Sequence, residues 1–185
     1  MTYISVAFKE EAKVLLRQWR FKQDKAAPCK LYVARDVCLL VTQMGQSNAL
    51  KSLEALLSYL PPKNSDVFIN FGICAAPAAY SVGEVLECSH IYHDNASIVL
   101  KSTCNTPLTT VDAPASRHHN TAVDMEAFVL FQTARHRFKT CHCIKVVSDH
   151  FEPLHVRKET IAPLLAGGVT RIKEIVHENR CCHRS

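Results

Sequence analysis

The chain has 185 residues, 48% of them hydrophobic and 21% charged, and a formal net charge of +5. This is ordinary globular usage, which excludes wholesale disorder and leaves enough apolar material for a core. The basic residues are scattered and not interleaved with aromatics, which argues against nucleic-acid binding. No apolar run is long enough to span a bilayer.

Residues 1–7 read as a short buried strand. Residues 9–20 have helical spacing, with Ala12, Leu15, Leu16 and Trp19 on one face. Two β-rich runs, 31–34 and 37–42, flank Arg35-Asp36 and predict a hairpin. Gly45 follows, and Ser47 or Asn48 caps a predicted helix through Leu60, stopped by Pro61-Pro62. Residues 66–70 form another apolar strand, ending in a small-residue turn from Gly72 to Pro77. Strands are predicted at 82–93, 97–101 and 108–111, and a polar loop at 112–121. A helix over 124–137 buries Met125, Phe128, Val129 and Ala134. A near-continuous apolar strand at 141–147 ends at Ser148-Asp149. A last helix covers 158–177, with Gly167-Gly168 as its weak point.

The nine cysteines follow no leader-like stretch, so reduced thiols in a cytoplasmic protein are expected. Cys38, Cys74 and Cys143 sit in apolar runs, where a thiol behaves as a small hydrophobe. Cys141-His142-Cys143 and Cys181-Cys182-His183 lack the ligand spacing of a metal knuckle. The first is expected to be strand alternation and the second a frayed terminus. Neither a metal nor an organic cofactor is expected.

Alternating strands and helices, with several strands apolar on both faces, predict an α/β fold. It is a three-layer α/β/α sandwich around a mixed, largely parallel central sheet, with residues 1–185 as one domain. Ligands of such sheets bind beyond the carboxyl ends of the strands. Those positions hold Glu10 and Glu11, Met44 and Gly45, Gly72 with its turn, and Ser148 with Asp149. Glu126 starts a helix near the same edge. A carboxylate at such a place is commonly a helix cap. Three of them, Glu11, Glu126 and Asp149, are expected to converge at one rim.

Several short motifs then become specific. They are Ala7-Phe8-Lys9-Glu10-Glu11, Gln43-Met44-Gly45-Gln46-Ser47-Asn48-Ala49, Asn70-Phe71-Gly72-Ile73-Cys74-Ala75 and Ser81-Val82-Gly83-Glu84-Val85. Val123-Asp124-Met125-Glu126-Ala127 and Val147-Ser148-Asp149 complete the set, about two dozen residues apart. On these residues nearly the whole chain resembles the purine nucleoside phosphorylase and nucleosidase superfamily. Within it the chain is similar to the methylthioadenosine/S-adenosylhomocysteine nucleosidases.

The resemblance implies hydrolysis of the N-glycosidic bond of a purine nucleoside. Asp149 matches the general acid that protonates the leaving purine at N7, with Ser148 holding its side chain. Glu126 matches the glutamate that grips the ribose hydroxyls, and a carboxylate there favours positive charge on the sugar. Glu11 matches the residue that activates the attacking water, with Glu10 as the competitor one residue away. Met125 would pack beneath the ribose, Phe8 and Met44 would line the base or the 5′ substituent, and Gly72 would lie at the ribose side. Self-association as a homodimer or larger oligomer is also implied.

Departures from the family pattern are equally visible. The usual Gly-Ser-Ala-Gly loop is Gly72-Ile73-Cys74-Ala75. Only 29 residues separate His93 from Val123, a shortened middle region. Pro114 stands where an aromatic clamp for the base is expected, in a Val-Asp-x-Pro pattern similar to that of the hopanoid-associated nucleosidases. Family phosphorylases hold phosphate with an arginine before the Gly72-type loop. Asn70 occupies that position here, which favours water as the nucleophile, although Lys145 could offer a cation. A phosphorylase and a nucleoside-binding protein without turnover are the alternatives.

Overall fold

A computed structural model describes residues 1–101 and 104–182. β1 (Thr2–Val6) leads into α1 (Lys9–Leu16). β2 (Lys22–Asp24), β3 (Leu31–Val33) and β4 (Val37–Val41) form an antiparallel run that lays β4 parallel to β1. α2 (Gln46–Tyr59) returns to β5 (Val67–Ala75) on the other side of β1. β6 (Val85–His93) and β7 (Ala96–Val99) make a hairpin, followed by β8 (Thr106–Thr110) and β9 (Ala122–Asp124). α3 (Ala127–Ala134) leads to β10 (Thr140–Asp149), parallel to β5. Beyond a short 3-10 turn (Pro153–His155), α4 (Lys158–Leu164) and α5 (Ala166–Cys182) complete the described chain.

The centre of the sheet, β4-β1-β5-β10, is parallel throughout, and the antiparallel pairs lie at its margins. On one side the pairings run from β10 through β6, β8 and β9 back to β5. Every residue of β1 and β4 is buried, as strands covered on both faces must be. Side chains alternate between two cores. Tyr3, Phe68 and Cys143 pack with Leu53 of α2 and Phe131 of α3. Ile4, Ile69 and Ile144 pack with Leu15 of α1, Ile161 of α4 and Ile172 of α5. This is the three-layer α/β/α arrangement expected from the alternation of elements.

Local departures have physical causes. The small-residue stretch 72–75 is not a turn. It extends β5, because Gly72, Ile73 and Cys74 stay in parallel register with Lys145, Val146 and Val147. The helix expected from residue 124 starts at Ala127, since Ala122–Asp124 is a strand and the Asp124 carboxylate accepts the Ala127 N–H at 2.9 Å. Met125 therefore lies between strand and helix. The last helical stretch is two helices, parted at Leu165 just after Pro163, and not at Gly167-Gly168. β2, which is polar and largely exposed, carries no apolar signal and was not expected.

Cys141, His142 and Cys143 do alternate along β10. Cys141 and Cys143 are buried, and His142 pairs with Glu87 at 3.1 Å. α5 is helical through Cys182; His183, the rest of the stretch expected to fray, lies outside the described residues.

Candidate active site

A cavity of ≈ 290 Å³ opens at the carboxyl ends of β5, β9 and β10. Its walls are mainly apolar, with Phe8, Met44, Ile73, Val111, Met125 and Ile161 among them. Glu126, Ser148 and Asp149 face into it, and Glu10 and Lys158 also border it. An apolar cleft with a few convergent polar groups is the usual form of a small-molecule site.

Glu126 is presented by the turn between β9 and α3. Its Oε1 accepts the Gly45 N–H at 2.7 Å, across 81 residues of sequence; Gly45 has φ +92°. Burial raises the Glu126 pKa to about 7, Asp124 adds to the rise, and Lys145 and the Gly45 N–H oppose it. Asp124 is more fully bound. Its Oδ1 accepts the Thr110 hydroxyl at 2.7 Å, and its Oδ2 accepts both the Ala127 N–H and Lys145 Nζ, the latter at 2.7 Å. Lys145 is almost wholly buried in β10. Burial works against its ammonium, but Asp124, Cys143 and Glu126 outweigh it and hold the pKa above the ordinary lysine value.

Glu11 lies behind the cavity wall. Its Oε2 accepts the Ala7 and Phe8 N–H groups at 2.8 and 2.9 Å, closing the first turn of α1, and its Oε1 accepts the Ile73 N–H at 3.0 Å. Burial raises its pKa, while these bonds and Lys145 pull it back. Gly72 exists for this carboxylate: a Cβ there would stand 2.6 Å from Glu11 Oε1. Neither Glu11 nor Gly72 borders the cavity; Glu10, half-buried and 3.8 Å from Lys13, does.

Asp149 ends β10. Its Oδ1 accepts the Glu152 N–H at 2.8 Å. The Ser148 hydroxyl lies 2.7 Å from Oδ2 and 3.1 Å from the Cys74 carbonyl, donating to one at a time. Two residues on, Phe151 is buried at φ +68°, a left-handed conformation uncommon for an aromatic. The rings of His118 and His119 rest on it at 5.4 and 5.6 Å. They belong to the short polar segment that also brings Pro114 and Ala115 to the cavity. Asp112 ties that segment to Gln46 at 2.6 Å.

Of the residues singled out from sequence, the structure brings Phe8, Met44, Met125, Glu126, Ser148 and Asp149 to one cavity and leaves Glu11 and Gly72 beneath its wall. Asn70 is buried in β5 beside Ser5, at 3.2 Å, with its Oδ1 unpaired among the described residues, and it does not border the cavity. Lys145 is committed to Asp124 and does not border it either. The Asp124–Lys145 pair was not expected: Asp124 lies in the Val123–Ala127 motif and Lys145 stood apart as a possible cation, and nothing local in sequence joins residues of two strands. Among the described residues, no group of three or more His, Cys, Asp or Glu side chains is placed to hold a metal ion. No helix there is long and apolar enough to cross a membrane.

No protein-family model and no curated protein sequence matches the chain. Solved structures do. The 5′-methylthioadenosine/S-adenosylhomocysteine nucleosidase of Helicobacter pylori, with butyl-thio-DADMe-Immucillin-A, has a TM-score of 0.77 at 12% identity, covering 96% of this chain and 97% of its own. The 5′-methylthioadenosine nucleosidase of Arabidopsis thaliana has a TM-score of 0.73 at 17% identity, covering 95% of each chain. A nucleosidase of Chlamydia trachomatis bound to MTA has a TM-score of 0.66 at 20% identity, covering 92% of this chain and 97% of its own. The chain has the fold of these nucleosidases.

Proposed function

We propose that the chain is a nucleosidase that hydrolyses the N-glycosidic bond of a purine nucleoside of the methylthioadenosine or S-adenosylhomocysteine type, with Asp149 as general acid. One observation carries this reading. Carboxylates from two separate elements, Glu126 ahead of α3 and Asp149 at the end of β10, border one apolar-walled cavity. The bond breaks through an oxocarbenium-like sugar, and the purine leaves well only when its N7 is protonated. Asp149 supplies that proton. Glu126 accepts ribose hydroxyls and favours the developing positive charge. Met125 packs against the sugar, and Phe8 and Met44 flank the base or the 5′ substituent. Glu11 is the carboxylate that the family resemblance assigns to the attacking water, although it lies beneath the wall and Glu10 is the one at the cavity's border.

Water is favoured over phosphate because Asn70 stands where the family phosphorylases carry an arginine, no arginine lines the cavity among the described residues, and Lys145 is neutralised by Asp124 at 2.7 Å, which leaves Lys158 as the cation at the cavity's border. A second reading, a nucleoside-binding protein without turnover, draws on the position of Glu11 behind the wall. Incubation with methylthioadenosine, adenosine and inosine, each with and without phosphate, separates them. Free sugar is the expected product. Sugar 1-phosphate formed only with phosphate would make the chain a phosphorylase, and binding without release would make it the second reading. The enzyme is further proposed to be a cytoplasmic homo-oligomer; a sedimentation mass of one chain would remove the oligomer.

A further inference from the structure

The turn that carries Glu126 is held by a clasp of side chains from three strands. Thr110 of β8, Asp124 of β9 and Lys145 of β10 meet at the Asp124 carboxylate, with contacts of 2.7 Å to each partner. The same carboxylate accepts the Ala127 N–H, and the Thr110 oxygen accepts the Phe128 N–H at 3.0 Å, so two of the open donors of α3 end on the clasp. Glu126 sits between Asp124 and Ala127 and has little freedom left to it. Asp124, Glu126 and Lys145 are all buried.

The charges are unequal. Glu11 from α1, Asp124 from β9 and Glu126 itself are three buried carboxylates around one buried ammonium, Lys145 of β10. Glu10, Asp149 and Lys158 border the same cavity from further elements. Removing one member of a buried pair leaves the other charge uncompensated, and a buried cation favours the ionised form of the carboxylates around it.

We propose that Asp124 and Lys145 are a positioning pair for Glu126: Asp124 locks the turn that aims it into the cavity, and Lys145 sustains the ionised carboxylate that accepts ribose hydroxyls. The ribose half of this statement rests on the function proposed above; the electrostatic half does not. Lys145 therefore acts through its neighbours, without touching substrate. Burial pushes Glu126 towards the neutral form, and Lys145 is the cation that opposes this.

The test is a carbon-detected NMR titration of the Glu126 carboxyl in ligand-free full-length protein, repeated for Asp124→Asn, Lys145→Met and Lys145→Arg. In Asp124→Asn the ammonium loses its competing carboxylate, and the Glu126 midpoint falls by about one unit or more. In Lys145→Met it rises by a similar amount, and Lys145→Arg restores it to near the wild-type value. Should Lys145→Met fail to fold, the downward move in Asp124→Asn and the restoration in Lys145→Arg carry the test. Midpoints unchanged across the folded variants, whatever their stability, would overturn the pair's electrostatic role. Adenosine affinity measured over the same pH range then rises with ionisation of Glu126 and follows its midpoint from variant to variant. If the titrations move as stated and the affinity does not follow, the positioning pair stands and the ribose-binding assignment of Glu126 falls.

Discussion

Glu11 and Gly72 illustrate how one residue explains another across 60 intervening positions. The carboxylate fills the space that a side chain at position 72 would need, and it takes three backbone N–H groups there. Gly72→Ala forces a methyl group against Glu11 Oε1 and is expected to cost about 1–3 kcal/mol, as overpacking does. Chemical denaturation checks the cost, and in a Glu11→Ala background the same substitution should cost less; an equal cost in both backgrounds would separate the two residues.

Glu126 makes a different prediction, because its pKa stands at about 7 in the fold against an ordinary 4.5. The folded protein holds that proton more tightly than the unfolded chain. This contribution to stability is fully present below about pH 4.5 and is lost as pH rises through about 7. Glu126→Gln removes the loss while keeping an acceptor for Gly45. It should match the wild type near pH 4.5 and melt several degrees higher at pH 8, about 2–4 °C for each kcal/mol. A difference that does not vary with pH contradicts the burial argument.

Among the elements, those with long apolar runs were legible: β1, β4 and β10 announce themselves because both of their faces are covered. β2 was not, since a polar edge strand shares no pattern with a buried one. β9 has three residues and meets β5 at a single register pair, Val123 with Ala75, so a tertiary contact and not periodicity makes it a strand. The end of β5 read as a turn because its residues are small; the missing side chain at Gly72 makes room for Glu11.

α5 shows the same logic. Gly168 lies against Phe71, where a Cβ would come within 2.6 Å of Cε2 and 3.0 Å of Val146 Cγ2. The glycine pair is a packing site within the helix and not its break. Gly168→Ala should lower the unfolding midpoint despite the better helix propensity of alanine, worth about 1 kcal/mol. Gly167→Ala, whose Cβ meets only Val85 Cγ2 at 3.2 Å, should lower it less. A stabilised Gly168→Ala would mean that α5 shifts freely on the sheet.

For the molecule as a whole, the parallel centre of the sheet directs β5 and β10 so that their carboxyl ends share one cavity. The strand-end rule therefore located Asp149, Ser148 and the Gly72 segment from sequence. It did not separate Glu10 from Glu11, which point to different sides of the first turn of α1: one borders the cavity and the other is sealed under it. Nor did it show that Lys145 is spent on Asp124, which required two strands on either side of β5 to turn their side chains towards each other. The segment between β8 and β9 contributes to the wall through Pro114 and Ala115, and its histidines pack on Phe151 next to Asp149.

The most direct measurement is adenine release from methylthioadenosine in phosphate-free buffer by the wild-type chain and by Asp149→Asn. Adenine with free methylthioribose from the wild type is predicted, with a rate at least about 10²-fold lower in the variant, the usual size of a general-acid contribution. Undiminished release by Asp149→Asn would remove Asp149 as the acid. No release by the wild type, with nucleoside bound, would contradict hydrolysis itself.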